Sequence, residues 1–148
     1  MLWLLRHADA AEGRPDEARP LTPLGVEQSR AAGAAIATLG IRLDSCLSSP
    51  KLRALDTARY ACEPLGIDVV IEQALAGSGY DPERLAAGHG EVMLVGHDPA
   101  ISIALRDLTG ARAQMRKGGL AGIDRGELVV LMTPAEISAI AGAAETSA

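Results

Sequence analysis

Two histidines and two arginines of this sequence stand where short apolar runs come to an end. The run at residues 2–5 stops at Arg6-His7, and the run at 92–95 stops at Gly96-His97. Between them, the stretch 45–49 stops at Ser49-Pro50, with Arg53 in the first turn of the helix expected to follow. Arginine forks match phosphate oxygens in pairs and stay charged at any working pH. A neutral imidazole is a competent nucleophile toward phosphorus. A second imidazole that donates a hydrogen bond can stabilise the equatorial oxygens while charge redistributes. His7, Arg6, Arg53 and His97 together predict phosphoryl transfer through a phosphohistidine intermediate, with Arg6, Arg53 and His97 binding the phosphate. Each alone has a plainer reading: a solvated strand end for Arg6 and His7, a surface arginine for Arg53, a helix cap for His97. Their joint arrival at three strand ends favours a site. The third histidine, His89 in the loop GHGE, reads as a surface residue.

These side chains need a scaffold, and the sequence outlines one. Runs 2–5 (LWLL) and 92–95 (VMLV) are continuously apolar, as in strands buried on both faces. Weaker strand signals lie at 45–49 and 68–71. The stretches 120–123 and 127–132 flank Asp124-Arg125-Gly126 and predict a hairpin. Helices alternate with these strands. Thr22-Pro23 predicts an N-cap and first helical residue, followed by Ala32, Ala35, Ile36 and Leu39 at helical spacing and by Gly40 as the stop. Leu52, Leu55, Ala58, Cys62 and Leu65 form a second stripe ended by Gly66, and Asp98-Pro99 is expected to cap a third helix ending before Gly110. A short helix is expected from Asp81-Pro82 to about Ala87. Thr133 with Glu136 makes a capping box for a last helix, and the tail AAETSA (143–148) is expected to fray.

Strands alternating with helices require crossover connections. The fold class is therefore α/β, a three-layer α/β/α sandwich with a mostly parallel sheet and one antiparallel edge strand. Ligands of such sheets bind beyond the carboxyl ends of the strands, where the four residues stand. No repeat or linker interrupts the chain, so residues 1–148 are expected to form a single domain.

Composition narrows the partners. Aromatics make up only 2% of a chain that is 48% hydrophobic, so the core must be built from Leu, Val, Ile and Ala. A formal charge of −5, with few aromatics and no basic run, argues against nucleic acid as a partner. No apolar run approaches membrane-spanning length, so no membrane association is expected. Cys46 and Cys62 have no metal spacing and read as small buried hydrophobes in a reducing compartment, which predicts a cytoplasmic protein. No histidine pair has i,i+4 spacing, and the arginines would repel a cation, so no metal is expected.

LLRHADA resembles the RHG/RHA signature of the histidine phosphatase superfamily, the phosphoglycerate-mutase-like fold. SSPKLRALDTA is similar to that family's S-x-x-x-R-A-x-x-T element, and LVGHDP to its second-histidine element. The small size, with RHADA and ARPLTPLG, resembles the short bacterial SixA-like phosphohistidine phosphatases. The resemblance extends from residue 2 to 133, with KGGLAGI at 117–123 as a weaker fourth element. It implies that His7 is the nucleophile that becomes phosphorylated. Arg6, Arg53 and His97 would complete the phosphate pocket, with His97 as charge stabiliser, and no metal or organic cofactor would be needed.

One departure bears on the substrate. Larger members of the family carry a carboxylic general acid after the third strand, to protonate an alkoxide leaving group. Here that segment reads EQALAGSGYDPE: Glu72 comes early, at the strand end, and ALAGSG holds no carboxylate. Asp81 or Glu83 could reach the site, or could instead start the short helix. A missing acid should slow phosphomonoester hydrolysis by about 10²–10⁴-fold. Phosphohistidine, whose imidazole leaves as a neutral ring once protonated, needs little such help. The expected function is thus dephosphorylation of protein phosphohistidine. A small sugar or nucleotide phosphomonoester is the alternative substrate, and a non-catalytic phosphate-binding module is the alternative of another class. Arg19, in ARPLT, either adds a third cation at the rim or pairs with Asp16 or Glu17.

Overall fold

The computed structural model describes residues 1–147. Its strands are β1 (Leu2–Arg6), β2 (Ser45–Ser48), β3 (Val69–Ile71), β4 (Val92–Gly96), β5 (Leu120–Asp124) and β6 (Glu127–Met132). They form one sheet in the order β3-β2-β4-β1-β5-β6. The first four run parallel, β5 pairs antiparallel with β1, and β6 closes the edge by pairing antiparallel with β5. The β5–β6 turn has positive φ at Arg125 (48°) and Gly126 (77°), the combination that a tight twisted hairpin requires.

Among the described residues, five α-helices, α1 (Pro23–Thr38), α2 (Leu52–Cys62), α3 (Pro82–Ala86), α4 (Ala100–Thr109) and α5 (Pro134–Ser147), cover the two faces of this sheet. Alternation along the central strands sorts the core. Trp3 and Leu5 of β1 pack with Ile36, Ala58 and Ile137 of α1, α2 and α5. Leu4 points the other way, to Ile101 and Leu105 of α4, with Leu85 of α3 at the margin. Gly122 of β5 leaves room for the Trp3 indole, whose ring would lie 2.6 Å from a Cβ there. Each fully buried Leu or Ile contributes about 1.5–3 kcal/mol, so the middle of the sheet carries much of the favourable burial.

Helix starts follow local chemistry. The Thr22 hydroxyl accepts from the Gly25 N–H at 3.0 Å. Thr133 and Glu136 form the expected reciprocal cap: the Glu136 carboxylate accepts from the Thr133 N–H (2.9 Å) and the Thr133 hydroxyl from the Glu136 N–H (3.3 Å). One expectation is corrected. Pro99, not Asp98, holds the position before α4, because its own backbone is already helical; the Asp98 carboxylate accepts instead from the Ser102 hydroxyl. The last helix, α5, has the bounds Pro134–Ser147, and Ala148, the end of the tail expected to fray, lies outside the described residues. Among the described residues, no helix is long and apolar enough to cross a membrane.

Candidate active site

Because β1, β4 and β2 are neighbours, the residues that follow them meet at one end of the sheet. The ladder continues past the strands: the His7 N–H donates to the Gly96 carbonyl and the Ser49 N–H to the Val95 carbonyl, both at 3.0 Å. His7 and His97 stand with ring centroids 5.3 Å apart. Together with Arg53 they are buried, at 6–8% exposure, which is rare for such side chains without a purpose or a partner. The structure brings His7, Arg6, Arg53 and His97 together. His89 lies before β4, at the opposite end of the sheet.

The state of the His7 ring follows from its contacts. Nδ1 lies 2.7 Å from the Ala8 carbonyl, which can only accept, so the ring proton sits on Nδ1. In the neutral ring Nε2 then carries a lone pair. Burial, reinforced by the charges of Arg53, Arg6 and Lys117 and only partly opposed by the Ala8 bond, lowers the pKa to about 4. With His7 in the nucleophile's role expected from the sequence, protonation of Nε2 would remove activity on the acid side. We expect kcat/KM for p-nitrophenyl phosphate to hold level from about pH 8 to 5, with its acid limb near the lowered pKa and not near about 6.5, where an unperturbed histidine titrates. A pH–rate profile checks this.

His97 is fixed by Ser49. Its Nε2 lies 2.8 Å from the Ser49 hydroxyl oxygen. That oxygen also accepts from the Lys51 N–H at 3.2 Å; with the Ser49 proton assigned to Nε2, the His97 proton sits on Nδ1. Burial first, then repulsion from His7, Arg53 and Lys51, lowers the His97 pKa to about 3, with Asp16 opposing. Among the described residues, three buried nitrogens of this group find no partner: Arg6 Nε, Arg53 Nε and His97 Nδ1. An unsatisfied buried donor costs about 1–3 kcal/mol, so an oxyanion seated beside His7 is the ligand these groups fit. Among the described residues, no group of three or more His, Cys, Asp or Glu is arranged to hold a metal ion.

Both arginines are aimed by contacts that the sequence did not disclose. Arg6 Nη1 donates to the Met115 carbonyl at 2.8 Å. The Met115 N–H in turn donates to the Ser102 hydroxyl at 2.9 Å, and that hydroxyl donates to Asp98. Ser102 is thus a positioning residue for Arg6. Ser102→Ala should lower kcat/KM by roughly fivefold, the loss of one hydrogen bond of about 1 kcal/mol, and Ser102→Thr should restore it. Steady-state kinetics on the three proteins checks this.

Arg53 donates through Nη1 to the Asp16 carbonyl (2.9 Å) and through Nη2 to its carboxylate (3.2 Å). Thr57 ties the same helix to the turn after β1, donating to the Arg53 carbonyl (2.7 Å) and accepting from the Ala8 N–H (3.0 Å). Gly25 lets α1 close on that turn, since a Cβ there would run into the Asp9 carbonyl. Asp16 also meets Arg19 at 3.2 Å and Lys51 at 3.4 Å. Arg19 therefore pairs with Asp16, the same carboxylate that Arg53 holds. Hydrogen bonds from Arg19, then Arg53 and Lys51, hold Asp16 ionised, with a pKa of about 2. Asp16 and Lys51 are the contributors that motif reading passed over; Ser49 stands in the S-x-x-x-R element, but its hold on His97 was not read from it.

The carboxylates after β3 are engaged in local turns. Asp81 accepts from the Glu83 and Arg84 N–H groups at the start of α3. Glu83 is exposed in its first turn, and Glu72 accepts from the Ala74 N–H at 3.3 Å.

A mostly parallel sheet that gathers two imidazoles and two guanidiniums beyond neighbouring strand ends has the make-up of an α/β phosphate-handling enzyme. The chain belongs to the histidine phosphatase superfamily (branch 1), whose family model matches residues 2–81, and is a SixA-like phosphatase. An uncharacterized protein of Picosynechococcus sp. is 33% identical over 141 residues, covering 84% of this chain and 85% of that one. The SixA protein of Agrobacterium tumefaciens, assigned as a phosphohistidine phosphatase, is 27% identical with a TM-score of 0.78, over 90% of this chain and 97% of that one. The corresponding SixA protein of Nakamurella multipartitia is 26% identical with a TM-score of 0.76, over 90% and 95%.

Proposed function

We propose that this phosphatase removes phosphate from phosphohistidine on other proteins, through a covalent phosphohistidine of its own at His7. The observation that carries the reading is the His7 ring itself. Its Nδ1–H is tied to Ala8 and its pKa lies at about 4, so Nε2 is an unprotonated nucleophile at neutral pH. Nε2 attacks phosphorus and the bond to the leaving nitrogen breaks. The substrate ring, protonated on its other nitrogen, departs with the electron pair as neutral imidazole. Water then attacks phosphorus, the P–Nε2 bond breaks with its electrons returning to His7, and inorganic phosphate leaves. Arg6 and Arg53 hold the non-bridging oxygens, and His97 Nδ1–H donates to an equatorial oxygen. A bound dianion opposes the burial and the repulsion that keep the His97 pKa low, so His97 can take up charge as the oxygens need it.

The carboxylates support the substrate class. Asp16 is held ionised and cannot donate a proton, while Asp81 and Glu72 accept backbone N–H groups. A group that leaves without an acid is what such a site suits. The buried free thiols of Cys46 and Cys62 are in keeping with a reducing, cytoplasmic setting. The test is a phosphorylated histidine-phosphotransfer protein followed by phosphorus NMR. The protein should convert the P–N signal to inorganic phosphate. A persistent P–N signal alongside hydrolysis of sugar phosphates would favour a small phosphomonoester substrate. Phosphate binding with no turnover of either would favour a non-catalytic module.

A further inference from the structure

An open cleft of about 720 Å³ adjoins Arg6, bordered by Asp9, Gln28, Gln114, Arg116 and Lys117. Between Asp107 and Asp124 the sequence holds Arg112, Arg116 and Lys117 and no acidic residue, in a chain whose formal charge is −5. This basic segment is fixed to the site. The Gly118 N–H donates to the Arg6 and His7 carbonyls, both at 3.1 Å, and the Met115 carbonyl accepts from Arg6 at 2.8 Å. Its cations therefore have a set position relative to His7, and the charge of Lys117 contributes to depressing the His7 pKa.

These cations are also available. Arg116 is exposed and has no side-chain partner among the described residues. The Lys117 side chain is 46% exposed, and the carboxylate it meets, Asp9, stands 3.8 Å away. An exposed contact of that length is worth about 0–1 kcal/mol. The other Asp9 oxygen is already taken by the Thr22 hydroxyl at 2.7 Å, which holds Asp9 against the start of α1. An incoming anion thus meets one unpaired guanidinium and one weakly engaged ammonium, in a space roomy enough for the body of a substrate.

We propose that this cleft is a second anion subsite, in which Arg116 and Lys117 hold a carboxylate or further phosphate borne by the same substrate whose scissile phosphoryl group sits at His7. The proposal rests on the reading of the His7 pocket as the phosphate site. It gives the enzyme a preference for doubly anionic substrates, either a small molecule or an acidic segment around a phosphohistidine.

Calorimetric titration with two inert phosphonates separates the pocket from the cleft. 4-Methylbenzylphosphonate reports the pocket alone; 4-(carboxymethyl)benzylphosphonate adds an anion that can reach the cleft. The carboxylated compound should bind the wild-type protein about 10-fold more tightly. In Arg116→Ala/Lys117→Ala the ratio of the two affinities should fall below about 2-fold, and in Arg116→Ala alone the methyl compound should bind as before. About 0.5 M salt should shrink the advantage, because the cations are exposed. Equal affinities in the wild type, or an advantage that survives the double substitution, overturn the subsite and leave the phosphatase reading intact. Failure of the methyl compound to bind strikes the pocket itself, and the subsite with it. Phosphohistidine peptides flanked by Glu or by Gln then identify the source. Faster turnover of the Glu peptide, lost in the double variant, supports an acidic protein segment. Equal turnover beside a phosphonate advantage supports a small dianion.

Discussion

Replacing His7 by Ala should lower kcat by about 10⁴–10⁶-fold on a phosphohistidine substrate, the loss expected when a covalent nucleophile is removed. The size of the effect follows from the arrangement around the ring. Arg6, Arg53 and His97 can bind and polarise a phosphoryl group, but none of them offers a lone pair to phosphorus. The arginines stay protonated, and His97 commits its Nε2 to Ser49. Phosphate binding should outlast catalysis in the variant, because the three unpartnered donors remain in place. His7 is buried and makes one side-chain hydrogen bond, to Ala8, so the substitution should leave the protein folded; His7→Gln, closer in volume, serves as the control. Turnover equal to that of the wild type would mean that the nucleophile lies elsewhere.

The second large effect concerns the leaving group. With no poised acid, kcat/KM should fall steeply as the leaving group becomes more basic. An alkyl phosphate such as ethyl phosphate should lie about 10²–10⁴-fold below the rate that general-acid help would allow. N-phosphoimidazole and p-nitrophenyl phosphate, whose groups leave without that help, should lie at the top of the series. The measurement is kcat/KM across phosphoimidazole, p-nitrophenyl, phenyl and ethyl phosphates, each set against its uncatalysed reactivity. A nearly flat series would mean that a proton is delivered to the leaving oxygen. Asp81 would then have to abandon its cap on α3 to supply it.

What the sequence disclosed and what it withheld have physical causes. Continuous apolar runs mark β1 and β4 because both faces of those strands are buried, and Thr22, Thr133 and Glu136 announce helices because capping depends on residues three apart. The four site residues were legible because they follow the ends of neighbouring strands of a mostly parallel sheet: Arg6 and His7 at β1, His97 after β4, and Arg53 in the first turn of the helix after β2. Asp16 was not, since its meeting with Arg53 spans 37 residues and depends on how a loop crosses the sheet end. Ser49 was visible as the end of an apolar stretch, but its hold on His97 exists only because β2 and β4 are neighbours. The cap expected at Asp98 failed by one residue, because Pro99 had already turned the chain into α4 and left Asp98 to Ser102.

The central claim is that phosphate passes through His7, and it can be read from one trapped intermediate. Brief incubation with a labelled phosphoramidate, base quenching, proteolysis and mass spectrometry should place an acid-labile, base-stable phosphoryl group on His7. Label on another residue, or turnover with no phosphoprotein at any quench time while substrate is being consumed, would contradict it.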